Sequence, residues 1–174
     1  MIFVTVGTDH HPFTRLLEWA QEVQTGLEIE IIAQRGATPD VKDVASFDYA
    51  EIGKMEELAM SADAVVCHGG PGTIALARRC GHRPIVVPRR PDLGEHVDDH
   101  QVRYSARLAA EGGIDVANSV EDLVLLLSSE RHRVDFDDEA DEVVGTFSES
   151  IDDLLAGRLP RRPWRTRLLL RRSR

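Results

Sequence analysis

Short apolar runs alternating with helical stripes constrain this chain more than any other feature. Ile2-Phe3-Val4-Thr5-Val6 is rich in β-branched residues and stops at Gly7. Leu27 to Ala33, Ala64-Val65-Val66-Cys67, Pro84 to Pro88 and Ile114 to Ala117 repeat the theme. Most of these runs show no polar alternation, the pattern of strands covered on both faces. Between them, Pro12 opens a stripe of Phe13, Leu16, Leu17, Ala20 and Val23 that Gly26 is expected to close. Further helices are predicted over Met55 to Met60, Thr73 to Cys80, Val97 to Ala110 and Val120 to Leu127. Ser119 is a natural N-cap for the last of these, with Asp122 at the reciprocal position of a capping box. Residues 34 to 53 are less regular, with a short strand expected around Phe47 to Ile52. Strands alternating with helices predict an α/β fold, a Rossmann-like doubly wound parallel sheet.

At 174 residues the chain fits one such domain, and 42% hydrophobic content excludes a disordered chain. Two cysteines, Cys67 and Cys80, exclude a disulfide scaffold. No segment approaches the ~20 apolar residues of a membrane span. The N-terminus runs straight into strand-like sequence with no basic leader, so a cytoplasmic location is the expectation. The acidic balance argues against nucleic acid as a partner. The net charge of −9 splits into +8 on Arg158 to Arg174 and −17 on the remainder. Two parts are therefore expected: a domain over 1–157, closed by an acidic helix over 135–157, and a basic tail over 158–174.

In doubly wound sheets ligands bind beyond the carboxyl ends of the strands. Three polar, Gly-rich segments follow strand ends here. In the first, His68-Gly69-Gly70-Pro71-Gly72-Thr73, glycines let backbone approach a ligand, and the following helix offers free N–H groups. A phosphate or diphosphate suits that end. Gly70-x-Gly72-x-x-Ala75 also matches a dinucleotide fingerprint, but it lies mid-chain, and the next strand ends in Arg89-Arg90 where an acid is wanted. An NADP-binding protein is one alternative.

The second segment runs from Arg89 to Gln101, where Glu95, His96, Asp99, His100 and Gln101 supply donors and acceptors suited to sugar hydroxyls. His96 and His100 are spaced i,i+4 like a zinc pair, but Val97 replaces the glutamate of His-Glu-x-x-His and no third ligand is evident, so no metal is expected. The third segment is Gly7-Thr8-Asp9-His10-His11, where Gly7 and Thr8 can meet a diphosphate and either histidine can carry a proton.

Taken together, Met1 to Thr8 with Pro12-Phe13, His68-Gly69-Gly70-Pro71-Gly72-Thr73-Ile74, and Val87-Pro88-Arg89-Arg90 with Gly94-Glu95-His96 and Asp99-His100-Gln101 resemble the C-terminal, donor-binding half of family 28 glycosyltransferases. They resemble in particular the small donor-binding subunits of bacterial exopolysaccharide glycosyltransferases and of the eukaryotic dolichol-linked N-acetylglucosaminyltransferase. The resemblance covers about residues 1 to 130. It implies one half of a GT-B enzyme that binds a UDP-sugar and requires no separate cofactor. A membrane-associated subunit would supply the acceptor half. It also implies inverting transfer of a hexose or N-acetylhexosamine to a lipid-linked acceptor.

On that resemblance the donor-binding residues are Gly7, Thr8, His68, Gly69, Gly70, Gly72, Thr73, Arg89, Glu95, His96, Asp99, His100 and Gln101. His10 and Glu95 are the local candidates for the catalytic base, which otherwise lies on the partner. Two departures stand out. Leu76 occupies the place where the peptidoglycan member carries a ribose-binding Glu, and Asp9 stands where related chains often have His. They motivate a second alternative, a non-catalytic nucleotide-sugar-binding or regulatory subunit. The tail, with Trp164 and four leucines among its arginines, suits an anionic membrane surface or an acidic partner.

Overall fold

The computed structural model describes residues 1–130, 133 and 134. Six strands form one parallel sheet: β1 (Ile2–Thr5), β2 (Ile31–Gln34), β3 (Ala45–Phe47), β4 (Ala64–Cys67), β5 (Ile85–Val86) and β6 (Asp115–Val116), in the order β3-β2-β1-β4-β5-β6. The strand order reverses direction between β1 and β4, which places a crevice beyond their carboxyl ends.

The central strands are apolar because both of their faces are covered. Ile2, Val4 and Val6 pack on one side against Phe13, Leu16, Leu17, Ala20 and Val23 of α1 (Thr14–Leu27) and its lead-in, with Leu123 of α5 (Val120–Ser128) beside them. Phe3 and Val65 point the other way, onto Leu58 of α2 (Ile52–Ser61) and Leu76 of α3 (Pro71–Arg79). Cys67, Ile74, Val86 and Ile114 continue that second layer under α4 (His100–Ala110). Predicted stripe and observed core therefore coincide for α1. The capping box is present too: Ser119 Oγ accepts from Asp122 N–H at 3.1 Å, and Asp122 Oδ2 accepts from Ser119 N–H at 3.2 Å.

Several boundaries differ from expectation, the strand expected over Leu27–Ala33 among them, which is observed at Ile31–Gln34; three have a local cause. Gly26 does not end α1. Leu27 packs on the core and extends the helix one residue further, and Glu28, at φ 53°, makes the left-handed cap. The irregular stretch pairs earlier than expected, at Ala45–Phe47, and Ile52 already opens α2. Finally, α4 starts at His100 rather than Val97, because Asp98 Oδ1 accepts from His100 N–H at 3.0 Å in a side-chain turn. Val97 is left exposed.

No helix among the described residues is long and apolar enough to cross a membrane. The expected acidic helix over 135–157 and basic tail over 158–174 lie outside the described residues.

Candidate functional site

The first polar segment forms the N-terminal end of α3. Pro71 takes the first helical position and Gly70 precedes it in extended conformation. With Pro71 lacking an N–H, the first-turn donors are those of Gly72 and Thr73. Opposite them, the chain leaves β1 through Gly7, whose φ of +78° suits glycine.

Gln34 fixes this turn from beneath. Its Oε1 accepts from Thr5 Oγ1 at 2.7 Å and Gly7 N–H at 3.1 Å, while its Nε2 donates to Gly7 O at 3.0 Å and Asp48 O at 2.8 Å. Sequence reading missed Gln34. The only signal was a polar residue at the end of an otherwise apolar strand.

Between the two turns sits His68. Its ring is buried, and a Cβ on Gly7 would come within 2.3 Å of it, a Cβ on Gly70 within 2.2 Å. Burial pushes its pKa down to about 3, so the imidazole is neutral at physiological pH. Its Nδ1 has no hydrogen-bond partner among the described residues.

These elements line a cleft of about 560 Å³. Gly7, Thr8, His68, Gly70, Gly72 and Thr73 of the expected site reach it. Tyr49, Ala50, Ile52 and Met55 close its other end, and Arg79 stands at α3 beside Leu76. Tyr49, Ala50 and Ile52 come from the stretch that sequence periodicity left irregular, and Met55 from the predicted helix that follows it. Leu76 is largely core and brings no polar atom to the cleft.

Gly69, Arg89, Glu95, His96, Asp99, His100 and Gln101 do not line that cleft; they build the flank beside it. Arg89 is corrected from the expected donor contact to a buried clamp. Its side chain donates to His11 O at 2.7 Å, Glu95 O at 3.0 Å and Val6 O at 2.9 Å, and lies 4.7 Å from the Phe13 ring centroid.

Glu95, expected as a donor contact and candidate base, is held by protein groups. It receives Arg15 bidentately at 2.8 and 2.7 Å and accepts from Arg90 N–H at 2.8 Å. Both oxygens are thus engaged on protein. Gln101 is buried behind the glycine loop, where Gly69 leaves only enough room for its side chain and for Ser105. Asp99 and His100 are exposed at the start of α4, Asp99 pairing with Arg103 at 3.0 Å.

The β1 turn reaches this flank through Asp9. His11 Nδ1 lies 2.6 Å from Asp9 Oδ1 and His96 Nε2 lies 3.3 Å from Asp9 Oδ2. Burial raises the Asp9 pKa, but hydrogen bonds from the His11 backbone and ring outweigh it, with a net lowering. His10 is exposed, its ring stacked 4.0 Å from that of His11.

The model of the glycosyltransferase family 28 C-terminal domain matches residues 1–145. This chain belongs to that family. Among solved structures, a glycotransferase of kitacinnamycin is similar at 18% identity and a TM-score of 0.54, over 91% of this chain and 43% of that one. MurG of Acinetobacter baumannii is similar at 20% identity and a TM-score of 0.49, over 72% of this chain and 40% of that one. The family domain thus spans less than half the length of either chain. No curated protein sequence matches it. The glycine loop of this family member opens α3 after β4 rather than the first helix after β1, which is not the place of a dinucleotide fingerprint.

Proposed function

We propose that this chain is the donor-binding half of a glycosyltransferase, and that the α3 cleft holds a UDP-sugar. One observation carries the reading: the first-turn N–H groups of α3 face the Gly7 turn across a cleft. That arrangement supplies donors for a diphosphate without net positive charge, as an acidic domain requires. The open end, with exposed Tyr49 and Ile52, offers apolar surface for a base. The neutral His68 ring is wedged between the two turns and fills the space their glycines leave.

In the reaction so inferred, an acceptor hydroxyl oxygen attacks the anomeric carbon from the face opposite UDP. The bond from that carbon to the β-phosphate oxygen breaks, and configuration inverts. Charge developing on the departing oxygen is stabilised by the α3 N–H groups. The hydroxyl proton passes to a base. With Glu95 engaged by Arg15 and Arg90, His10 is the remaining local candidate, and a base on the acceptor half is the alternative. Asp99 and His100, exposed beside the cleft, would meet the sugar or that half.

A hexose or N-acetylhexosamine donor, a lipid-linked acceptor, a membrane-associated acceptor-half subunit and peripheral attachment through Arg158 to Arg174 complete the reading. Isothermal titration of the chain with UDP and UDP-sugars tests the proposal. Binding that weakens at least tenfold in Thr73→Pro, which removes one first-turn N–H, supports it. Absence of UDP binding, both alone and with the acceptor half, overturns it.

A further inference from the structure

The two loops beside the cleft bring imidazoles and carboxylates together, and of these the transferase reading uses His10 alone, as a candidate base; bound to an ion, His10 would leave that role to the acceptor half. From the structure we infer that the β1 turn and the loop before α4 form a binding site for one divalent transition-metal ion, with Zn²⁺ as the reference ion. Its ligands are Asp9, His10, His11 and His96.

Three observations support this. First, the ligand atoms converge. Those of Asp9, His10 and His11 lie within 4.8 Å of one another. His96 Nε2 approaches Asp9 Oδ2 to 3.3 Å from a loop more than eighty residues away in sequence. A tetrahedral ion with bonds of about 2.0–2.1 Å holds its ligand atoms roughly 3.3 Å apart. Asp9 Oδ2 to His96 Nε2 already has that spacing and His10 Nδ1 to Asp9 Oδ1 is 3.8 Å, while the 2.6 Å hydrogen bond between His11 Nδ1 and Asp9 Oδ1 must open for both to ligate.

Second, the group is sheltered: the side chains of His96, Asp9 and His11 are 12%, 23% and 25% exposed, while His10 remains outside to close over an ion. Third, one carboxylate faces three imidazoles. That donor set suits zinc and its first-row neighbours over Mg²⁺ or Ca²⁺, which take oxygen. The Asp98 N–H and carboxylate lie 3.4 and 3.7 Å from the far nitrogen of His96 and orient its ring.

Sequence spacing pairs His96 with His100. The fold adds Asp98 to that pair and also brings Asp9 to His96 from the other loop. An ion here would tie the β1 turn to the loop carrying Gly94-Glu95-His96, and so order the flank of the cleft.

The test uses the full chain, stripped with a chelator and titrated with ZnCl₂. The expected result is about one Zn²⁺ per chain, with affinity falling at least tenfold in Asp9→Asn and in His96→Gln while circular dichroism stays unchanged. Should a variant misfold, Co²⁺ added to the unaltered chain gives an independent readout. Visible d–d bands without a thiolate charge-transfer band support the site. Uptake far below one ion per chain, uptake unchanged in the folded Asp9→Asn/His96→Gln double variant, or uptake abolished by Cys80→Ser would each overturn it. The test is independent of UDP binding, so its failure leaves the donor-site proposal intact.

Discussion

A Cβ added to Gly70 would lie 2.2 Å from Nε2 of His68, closer than atoms tolerate. The glycine loop is thus glycine at this position because of a neighbouring ring, besides any need to admit a ligand. Gly70→Ala should therefore destabilise the domain by about 1–3 kcal/mol, the usual cost of overpacking. The double variant Gly70→Ala/His68→Ala removes the clashing ring, so its loss should fall short of the sum of the single losses by more than about 0.5 kcal/mol. Urea unfolding of the four proteins measures this; strict additivity would dissociate the two residues.

Burial of His68 makes a second prediction, this one in pH. Its folded pKa of about 3 lies below the ordinary 6.5. Between those values the unfolded chain binds a proton that the folded chain does not. The contribution is therefore fully present above pH 6.5 and is lost as pH falls toward 3, at up to about 1.4 kcal/mol per pH unit. His68→Gln should flatten the stability profile across that window relative to the unaltered protein. Parallel profiles would show that His68 titrates normally.

Arg89 was legible as a charged residue at a strand's carboxyl end, and that position suggests ligand contact. Only the fold shows that three carbonyls from two loops, those of Val6, His11 and Glu95, converge on its guanidinium. A single lysine ammonium on a flexible stem cannot replace a planar fork at three points. Arg89→Lys should cost roughly 2–4 kcal/mol by leaving buried carbonyls short of donors. A melting temperature within a degree of the original would refute the clamp.

The same contrast holds along the chain. The α1 stripe, the Ser119 cap and the glycine loop were readable because each is a local pattern: period, cap chemistry, turn residues. Gln34 was not, and neither were the contacts of Glu95 and Gln101, because these depend on which distant groups the side chains meet. Gln34 saturates Thr5, Gly7 and Asp48, none of which its own neighbours in sequence reveal. The Tyr49 to Met55 end of the cleft was missed for a related reason. It is built where β3 gives way to α2, with no apolar period to announce it.

Gln34→Leu tests this hidden support. The leucine fills similar volume but leaves the Gly7 N–H only its longer bond to Thr5 Oγ1 and strands the Thr5 hydroxyl and two carbonyls, costing about 1–3 kcal/mol. The released Gly7 turn should also weaken UDP binding in calorimetry. Unaltered UDP affinity in the folded variant would mean that the turn holds its shape without Gln34.

The separation of cleft from flank yields the sharpest contrast. Thr73 lines the cleft, whereas Glu95 is spent on Arg15 and Arg90 and does not. Thr73→Val removes one hydroxyl at an accessible helix start, so stability should change by less than about 1 kcal/mol. If that hydroxyl meets the diphosphate, UDP affinity should drop severalfold. Glu95→Gln removes one partner of a nearly buried ion pair, 17% and 7% exposed on its two sides. Breaking such a pair from one side costs about 3–5 kcal/mol. UDP affinity of the fraction still folded should nevertheless stay near the original, measured below the melting transition. A stable Glu95→Gln protein with abolished UDP binding would reverse the assignment and put Glu95 at the donor.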